Sequence, residues 1–190
     1  EQCQITFIGP DADTIERLGN KSQARNTMIQ AGVPVIPGSK EALYEPEEAV
    51  PVAAEVGYPV IVKAALGGGG KGMRVAADET ELRHAFCTAQ KEAVAAFGDG
   101  TMYLEHFVQR PRHIEFQILA DKYGHVIHLG ERDCSLQRNH QKLVEESPSP
   151  ALSEALREQM GKAAVTAARV SGYENAGTIE FLLEPDGKFY

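Results

Sequence analysis

The chain has 190 residues, of which 43% are hydrophobic and 24% charged, and its formal net charge is −8. This composition is ordinary for a globular protein, and the negative charge argues against a surface that coats nucleic acid, which needs many cations on one face. No apolar run approaches the ~18–20 residues of a membrane span, and the start has no leader-peptide pattern. The sequence therefore predicts a soluble protein that binds neither nucleic acid nor membrane.

Two further features of composition bear on function. Cys3, Cys87 and Cys134 are far apart and outside any CxxC spacing, which predicts free thiols in a reducing compartment rather than disulfides or a zinc site. Residues 60–77 contain no acidic residue but include Lys63, Lys71 and Arg74. Such a cationic segment in an acidic chain indicates a small anionic ligand, and chance clustering is the alternative.

The predicted elements begin with an extended segment at residues 5–10 and two short helices. Asp11 or Asp13 is expected to cap the first helix, which ends near Gly19. The second helix is expected over residues 21–31, and an extended linker at residues 33–38 follows it.

A compact α+β unit is predicted next. A helix opens at Pro46, although Pro51 inside it predicts a later start or a bend. Strands at 59–64 and 73–77 flank a glycine run, and a capping box of Asp78 with Glu81 opens a long helix that Gly98 ends. A strand at residues 102–105 closes the unit.

The remaining residues predict a hairpin, a helix and a further strand. Residues 113–120 and 125–131 form the hairpin, Ser153 caps the helix, and residues 177–184 form the strand. Residues 188–190 begin a return strand that stops after three residues. The strand next to it would then have an unpaired edge, which predicts that the chain is a fragment.

The glycine run has the sequence GGGGKG at residues 67–72. A dinucleotide fingerprint must open a helix, but the residues that follow read as a strand, and a P-loop requires Ser or Thr where Gly72 stands. The remaining interpretation is a flexible loop between antiparallel strands whose amides approach phosphate oxygens. A merely floppy turn is equally compatible with four glycines.

Several stretches together resemble biotin carboxylase of the ATP-grasp kind, nearest to the subunit or domain of bacterial and plastid acetyl-CoA carboxylase. The most specific is the run ERDCSLQRNHQK at residues 131–142, followed by Glu145 and Glu146. The others are residues 7–10, 19–22, 31–38, 60–64, 67–72 and 111–115. The similarity covers about residue 5 to residue 190 without a gap.

The resemblance implies an α+β fold with two ATP-grasp subdomains. Residues 1–34 would be the end of an N-terminal α/β domain with its linking helix, residues 35–107 a lid subdomain, and residues 108–190 a second, incomplete subdomain. It implies carboxylation of biotin on a carrier protein by ATP, Mg²⁺ and bicarbonate, with carboxyphosphate as the activated form. The implied partners are the biotinylated carrier protein, carboxyltransferase subunits and a second copy in a homodimer. The implied setting is fatty acid synthesis in the cytoplasm or plastid stroma.

The resemblance also assigns individual residues. Lys142 is the lysine near bicarbonate, and Glu180 is a magnesium carboxylate. The nucleotide-binding positions are Lys21, Lys63, Gly69, Gly70, Glu105, His106, Phe107, Val108, His113, Gln137 and His140. The lysines and glycines match phosphate contacts, residues 105–108 match the segment that reads adenine, and the remaining three match positions around ribose and phosphates.

Each assignment has a simpler alternative. Lys21 can be a surface cation at a helix start, Glu105 a solvated strand end and His113 a core histidine. Glu180 follows Ile179 in an apolar strand and points away from its neighbours, so it is either exposed or a ligand. The sequence also departs from the family at Asn20 and Asn139, where Asp and Arg are common, and Lys71 is often Arg.

Other functions stay open at this point. Another ATP-grasp ligase, such as a carbamoyl-phosphate or purine-pathway relative, would use a different acceptor. A non-catalytic nucleotide-binding module would not turn over.

We expect the 190 residues alone to lack turnover. In the family the second magnesium carboxylate, a bicarbonate-binding arginine and the general-base glutamate follow the position of the last residue here. A single-turnover assay of bicarbonate-dependent ATP cleavage checks this expectation, and cleavage by the isolated chain would contradict it.

Overall fold

The computed structural model describes residues 7–19, 21–66, 71–138 and 141–190, with the side chains of Lys21 and Ser22 outside the description. The elements in chain order are α1 (Ala12–Gly19), α2 (Lys21–Gln30), α3 (Pro46–Val56), β1 (Val60–Ala64), β2 (Met73–Ala76), α4 (Glu79–Phe97), β3 (Met102–His106), β4 (Arg112–Ala120), β5 (Val126–Asp133), β6 (Gln137–Arg138), β7 (Gln141–Lys142), α5 (Glu154–Val170) and β8 (Asn175–Leu183). The mixed helices and antiparallel sheets confirm the predicted α+β class. No described helix is long and apolar enough to cross a membrane.

The chain divides into two compact units. The small unit is Ile36–Val108, and the large unit combines the residues up to Val35 with Gln109–Tyr190. Each unit has a three-stranded antiparallel sheet, in the order β2-β1-β3 in the small unit and β5-β4-β8 in the large unit.

In the small unit, one face of the sheet packs on α3 and α4. The buried strand residues alternate along β1, with Val60, Val62 and Ala64 facing the helices, as period-two side chains require. Phe86 and Leu82 of α4 fill the centre of this core and are fully buried.

The helix starts follow from capping chemistry. Asp78 accepts a hydrogen bond from the Glu81 amide at 2.9 Å, as predicted, while the Glu81 carboxylate accepts from Ala77 rather than from the cap residue itself. Helix α3 begins at Pro46, so the expectation of a later start is wrong. Pro51 is tolerated because its ring lies on the exposed side, where the carbonyl left without its helical donor remains open to water.

In the large unit, β4 is the central strand and α5 covers one face of the sheet. Ile114, Phe116 and Ile118 point to α5 and are buried, as the alternation predicts. Ser153 caps α5 by accepting from the Leu156 amide at 3.2 Å. Of the extended segment predicted at residues 5–10, the described residues 7–10 form no strand, and the rest lies outside the described residues.

Strand β5 contains a β-bulge that changes which residues face α5. The register pairs Ile118 with His128 but Phe116 with Glu131, so Leu129 and Gly130 together stand opposite the single residue Gln117. Gly130 has φ +93°, which a glycine adopts without strain. The extra residue reverses the alternation, so Arg132 stands opposite Glu115 of β4.

Among the described glycines of the small unit, Gly38 is the one where a side chain fits least. It bridges to Glu105, and a Cβ on it would lie 2.3 Å from the Leu104 carbonyl oxygen, a backbone atom that cannot move aside alone. We expect Gly38→Ala to destabilise the protein by about 1–3 kcal/mol through overpacking. Gly19→Ala is the matched control, because nothing lies within 4 Å of its Cβ. Urea unfolding of both variants checks the difference, and equal loss in both would contradict it.

Candidate functional site

Lys63 and Glu105 lie on the face of the small unit's sheet that the helices leave uncovered. They belong to the neighbouring strands β1 and β3, whose buried residues alternate with them. The Lys63 ammonium donates to the Glu105 carboxylate at 2.5 Å, and their side chains are 34% and 24% exposed. The small unit therefore presents a half-exposed lysine held in one position by a carboxylate.

The segment at the end of β3 carries the other residues predicted to read adenine. The His106 amide donates to the Pro37 carbonyl at 2.8 Å and the Phe107 amide to the Pro59 carbonyl at 2.9 Å. The Val108 side chain is buried, and within the described residues its amide has no hydrogen-bond acceptor. This segment is anchored on both sides and keeps one main-chain donor for a ligand.

In the large unit, Lys142 is part of a group of charges on the sheet face away from α5. Its ammonium donates to Glu115 at 3.1 Å and to Glu145 at 2.9 Å. Arg132 also binds Glu115, at 2.6 Å, and donates to Gln117 at 3.1 Å. Glu115 is buried and central, so it receives two cations.

The hydrogen bonds among these charges shift the pKa values of Lys142 and Glu115. The hydrogen bond with Glu145, followed by that with Glu115, raises the pKa of Lys142 above its ordinary value. Burial alone would raise the pKa of Glu115, but the hydrogen bonds from Lys142 and Arg132 outweigh it and lower that pKa. Lys142 is therefore a fixed, fully protonated cation at neutral pH.

The donor atoms of Glu115, Cys134 and Glu145 lie within 4.8 Å of one another, a spacing that a metal ion could bridge. The two carboxylates already neutralise Lys142 and Arg132, and burial raises the pKa of the Cys134 thiol. The group therefore does not require a metal.

His113 and Gln137 meet at the turn that follows β5. The His113 amide donates to the Ser135 hydroxyl at 3.0 Å, and its carbonyl accepts from the Cys134 amide at 2.7 Å. The Gln137 side-chain amide donates to the Cys134 carbonyl at 3.1 Å. Three of the residues predicted from the sequence, His113, Gln137 and Lys142, thus lie around one short turn.

Glu180 is exposed on β8, directly opposite Glu115 in the sheet register. Like charges directly opposite each other repel, and Glu115 avoids this cost by binding Lys142 and Arg132. Among the residues that the structure describes, no cation pairs with Glu180. An exposed carboxylate without a cation is a suitable ligand for a hard divalent ion.

Four predicted site residues lie wholly or partly outside the described residues. Gly69, Gly70 and His140 lie outside the described residues, as does the side chain of Lys21, although α2 begins at this lysine.

Sequence reasoning missed Glu115, Arg132 and Glu145 as parts of the site. The alternation along residues 113–120 predicts only that Glu115 lies on the opposite face of the strand from Ile114 and Phe116, and a regular hairpin register would have placed Glu131 opposite it. The bulge at Leu129 and Gly130 brings Arg132 there instead. The signal available in the sequence was Gly130 inside a predicted strand, which often marks a bulge.

Comparison with known proteins identifies the family. The family described as "Carbamoyl-phosphate synthase L chain, ATP binding domain" matches residues 20–190, and the chain belongs to it. Biotin carboxylase 1 of Bacillus subtilis is 55% identical over 190 residues, which is 100% of this chain and 42% of that protein.

Solved structures give the same result. The crystal structure of the biotin carboxylase–βγ-ATP complex from Campylobacter jejuni has a TM-score of 0.89 and 53% identity over 100% of this chain and 42% of that one. The biotin carboxylase domain dimer of Hydrogenobacter thermophilus 2-oxoglutarate carboxylase, solved with MgADP, ADP and bicarbonate, has a TM-score of 0.87 and 50% identity, again over 100% and 42%. The fold is therefore the ATP-grasp fold of biotin carboxylases, and the chain spans less than half the length of these relatives.

The ionised form of Glu115 should stabilise the large unit. Its folded pKa lies below its ordinary value of 4.5, so this contribution is complete above that pH and is lost as the pH falls through the folded pKa. We expect Glu115→Gln to lower the free energy of unfolding by about 1–3 kcal/mol at neutral pH, and by less as the pH falls below 4.5 and the carboxylate becomes protonated.

Urea unfolding across this pH range measures the effect. Glu145→Gln is the control, because Glu145 is 49% exposed and its ion pair should contribute less than about 1 kcal/mol. A Glu115→Gln loss that does not change with pH would show that packing, not charge, is responsible.

Proposed function

We propose that this chain is the ATP-binding part of a biotin carboxylase, an ATP-dependent carbon–nitrogen ligase that carboxylates biotin on a carrier protein. The observation that carries the proposal is the meeting of His113, Gln137 and the charged Lys142 around one turn of the large unit. Identity of 53% to a biotin carboxylase–βγ-ATP complex over the whole chain supports it.

Each unit contains residues with a proposed nucleotide-binding role. In the small unit, Lys63, with Gly69 and Gly70, is proposed to contact phosphate oxygens, and residues 105–108 to bind adenine. The main-chain donor of Val108 and the anchored backbone of His106 and Phe107 support this role. In the large unit, His113, Gln137 and His140 are proposed at ribose and phosphates, and Lys21 at the phosphates.

The proposed role of Lys142 follows from its charge. A lysine held between two carboxylates stays protonated and needs no reorientation when negative charge develops beside it. It would bind bicarbonate and stabilise the carboxyphosphate formed from it. Phosphoryl transfer depends on such positioning of cations more than on covalent participation by the protein.

Glu180 is proposed as a magnesium ligand. Its exposed carboxylate, without a cation among the described residues, fits a hard ion that prefers oxygen ligands. A bound Mg²⁺ would neutralise charge on the phosphates.

The activity of the complete protein extends this proposal. Bicarbonate, a biotinylated carrier protein, carboxyltransferase subunits and a homodimer are the proposed partners, with the cytoplasm or plastid stroma as the location. Acetyl-CoA carboxylation for fatty acid synthesis is the proposed pathway. A 2-oxoglutarate carboxylase domain is 50% identical to this chain, so this level of identity extends to a carboxylase with a different final acceptor.

A second candidate is another ligase of the same family, because the family description names carbamoyl-phosphate synthase. The two candidates differ in the acceptor. Free biotin or biotinylated carrier protein added to the complete protein should stimulate ATP cleavage only if the chain is part of a biotin carboxylase.

Mutation of one residue in each unit tests the proposal. In the complete protein, we expect Lys63→Ala and Glu180→Gln each to lower the rate of biotin carboxylation by about 100-fold, because each removes a charge from phosphoryl transfer. The controls are Lys40→Ala and Glu158→Gln, which change exposed residues of the same types.

Steady-state assays of ATP-dependent carboxylation measure these rates. Full activity in both site variants would contradict the enzymatic proposal and favour a non-catalytic nucleotide-binding module.

A further inference from the structure

The Asp133 carboxylate at the end of β5 is buried and accepts four hydrogen bonds. One oxygen accepts from the Ser135 amide at 3.1 Å and the Ser135 hydroxyl at 2.5 Å. The other accepts from the Arg112 guanidinium at 3.0 Å and the Ser149 hydroxyl at 2.9 Å. Burial would raise the pKa of Asp133, but the hydrogen bonds led by that of Ser135 outweigh it and lower the pKa, so the group is ionised.

A continuous set of contacts leads from Asp133 to the proposed nucleotide residues. Ser135, held by the carboxylate, accepts from the amide of His113, while Cys134 binds the carbonyl of His113 and the side chain of Gln137. Both main-chain polar groups of His113 are thus bound to the turn that Asp133 holds. Arg112, the residue before His113, binds the other carboxylate oxygen.

The contact with Ser149 leads away from these residues. The Ser149 amide also donates to the Glu131 carboxylate at 3.1 Å, and Arg157 of α5 donates to the same carboxylate at 2.8 Å. Asp133 therefore has a branch toward His113 and Gln137, and a second branch toward α5. The two branches can be broken separately.

We propose that Asp133 is a positioning residue for the nucleotide, which acts through Ser135 to fix His113 and Gln137. This inference rests on the proposed function. A carboxylate that does not touch the ligand can still orient the groups that do. It holds them in the binding geometry before the ligand arrives, so the free energy of ordering these groups no longer opposes binding.

Two variants in the complete protein test the branch toward His113. Asp133→Asn leaves one acceptor oxygen for four donors, and Ser135→Ala removes the hydroxyl that joins the carboxylate to His113. We expect each to weaken ADP binding by about 10-fold or more, measured by calorimetry. The double variant should be no weaker than the more affected single variant, because both changes break the same connection.

The matched control is Ser149→Ala, which also removes one serine hydroxyl from Asp133 but on the branch toward α5. We expect a lower melting temperature with ADP affinity within about twofold of the wild type. If Asp133→Asn does not fold, the comparison of ADP affinity between Ser135→Ala and Ser149→Ala still tests whether Asp133 acts through Ser135.

Equal weakening of ADP binding in Ser135→Ala and Ser149→Ala would overturn the inference, as would unchanged binding in Ser135→Ala. In both cases the wild-type protein still binds ADP and carboxylates biotin, so the proposed function is unaffected. A wild-type protein that binds no ADP would instead refute the proposed function itself.

Discussion

Three buried carboxylates in the β4–β5 hairpin, Glu115, Glu131 and Asp133, impose the constraint on which the large unit depends. A buried charge without partners costs several kcal/mol, so each carboxylate has to be supplied with cations or hydrogen-bond donors. Glu115 has Lys142 and Arg132, Glu131 has Arg157 and the Ser149 amide, and Asp133 has Arg112 and two serines. Most of these partners come from segments 16 or more residues away in sequence, so the hydrogen bonds that satisfy the carboxylates also hold separate segments of the large unit together.

Lys63 and Lys142, two of the three lysines assigned to anionic ligands, are both bound to glutamates, but in different surroundings. Lys63 and Glu105 are partly exposed, and an ion pair of this kind contributes about 0–1 kcal/mol. Lys63 can therefore exchange its carboxylate for a phosphate at low cost. Lys142 binds the buried Glu115, whose other cation among the described residues is Arg132, so this pair is expensive to break. One lysine is suited to changing its partner and the other to staying in place.

Much of the fold could be predicted because its signals are local. The capping of α4 by Asp78, the capping of α5 by Ser153 and the alternation of β4 each depend on residues within a few positions of one another. The α+β class and the family followed from these elements and from the run at residues 131–142.

The rest of the site depends on contacts that no local pattern contains. Asp133 lies 21 residues from Arg112 and 16 from Ser149, and a one-residue bulge decides which side chains of β5 face α5. The resemblance predicted a role for Lys142 but not for Glu115, since a carboxylate in an alternating strand reads as solvent-exposed until its neighbours are known. For His113 the sequence left both a nucleotide residue and a core histidine open, and no local pattern predicts that both of its main-chain groups bind the turn at Cys134 and Ser135.

The bulge at Leu129 and Gly130 divides β5 into two halves whose side chains alternate in opposite phase. Before it, even-numbered positions such as Val126 and His128 face the helix; after it, odd-numbered Glu131 and Asp133 do. The effect of an insertion or deletion on the buried residues of β5 therefore depends on where in the hairpin it occurs. Loss of one residue at the bulge would restore a regular ladder and exchange the interior and exterior roles of Glu131 and Arg132, whereas a change of length in the turn at residues 121–124 would leave both roles intact.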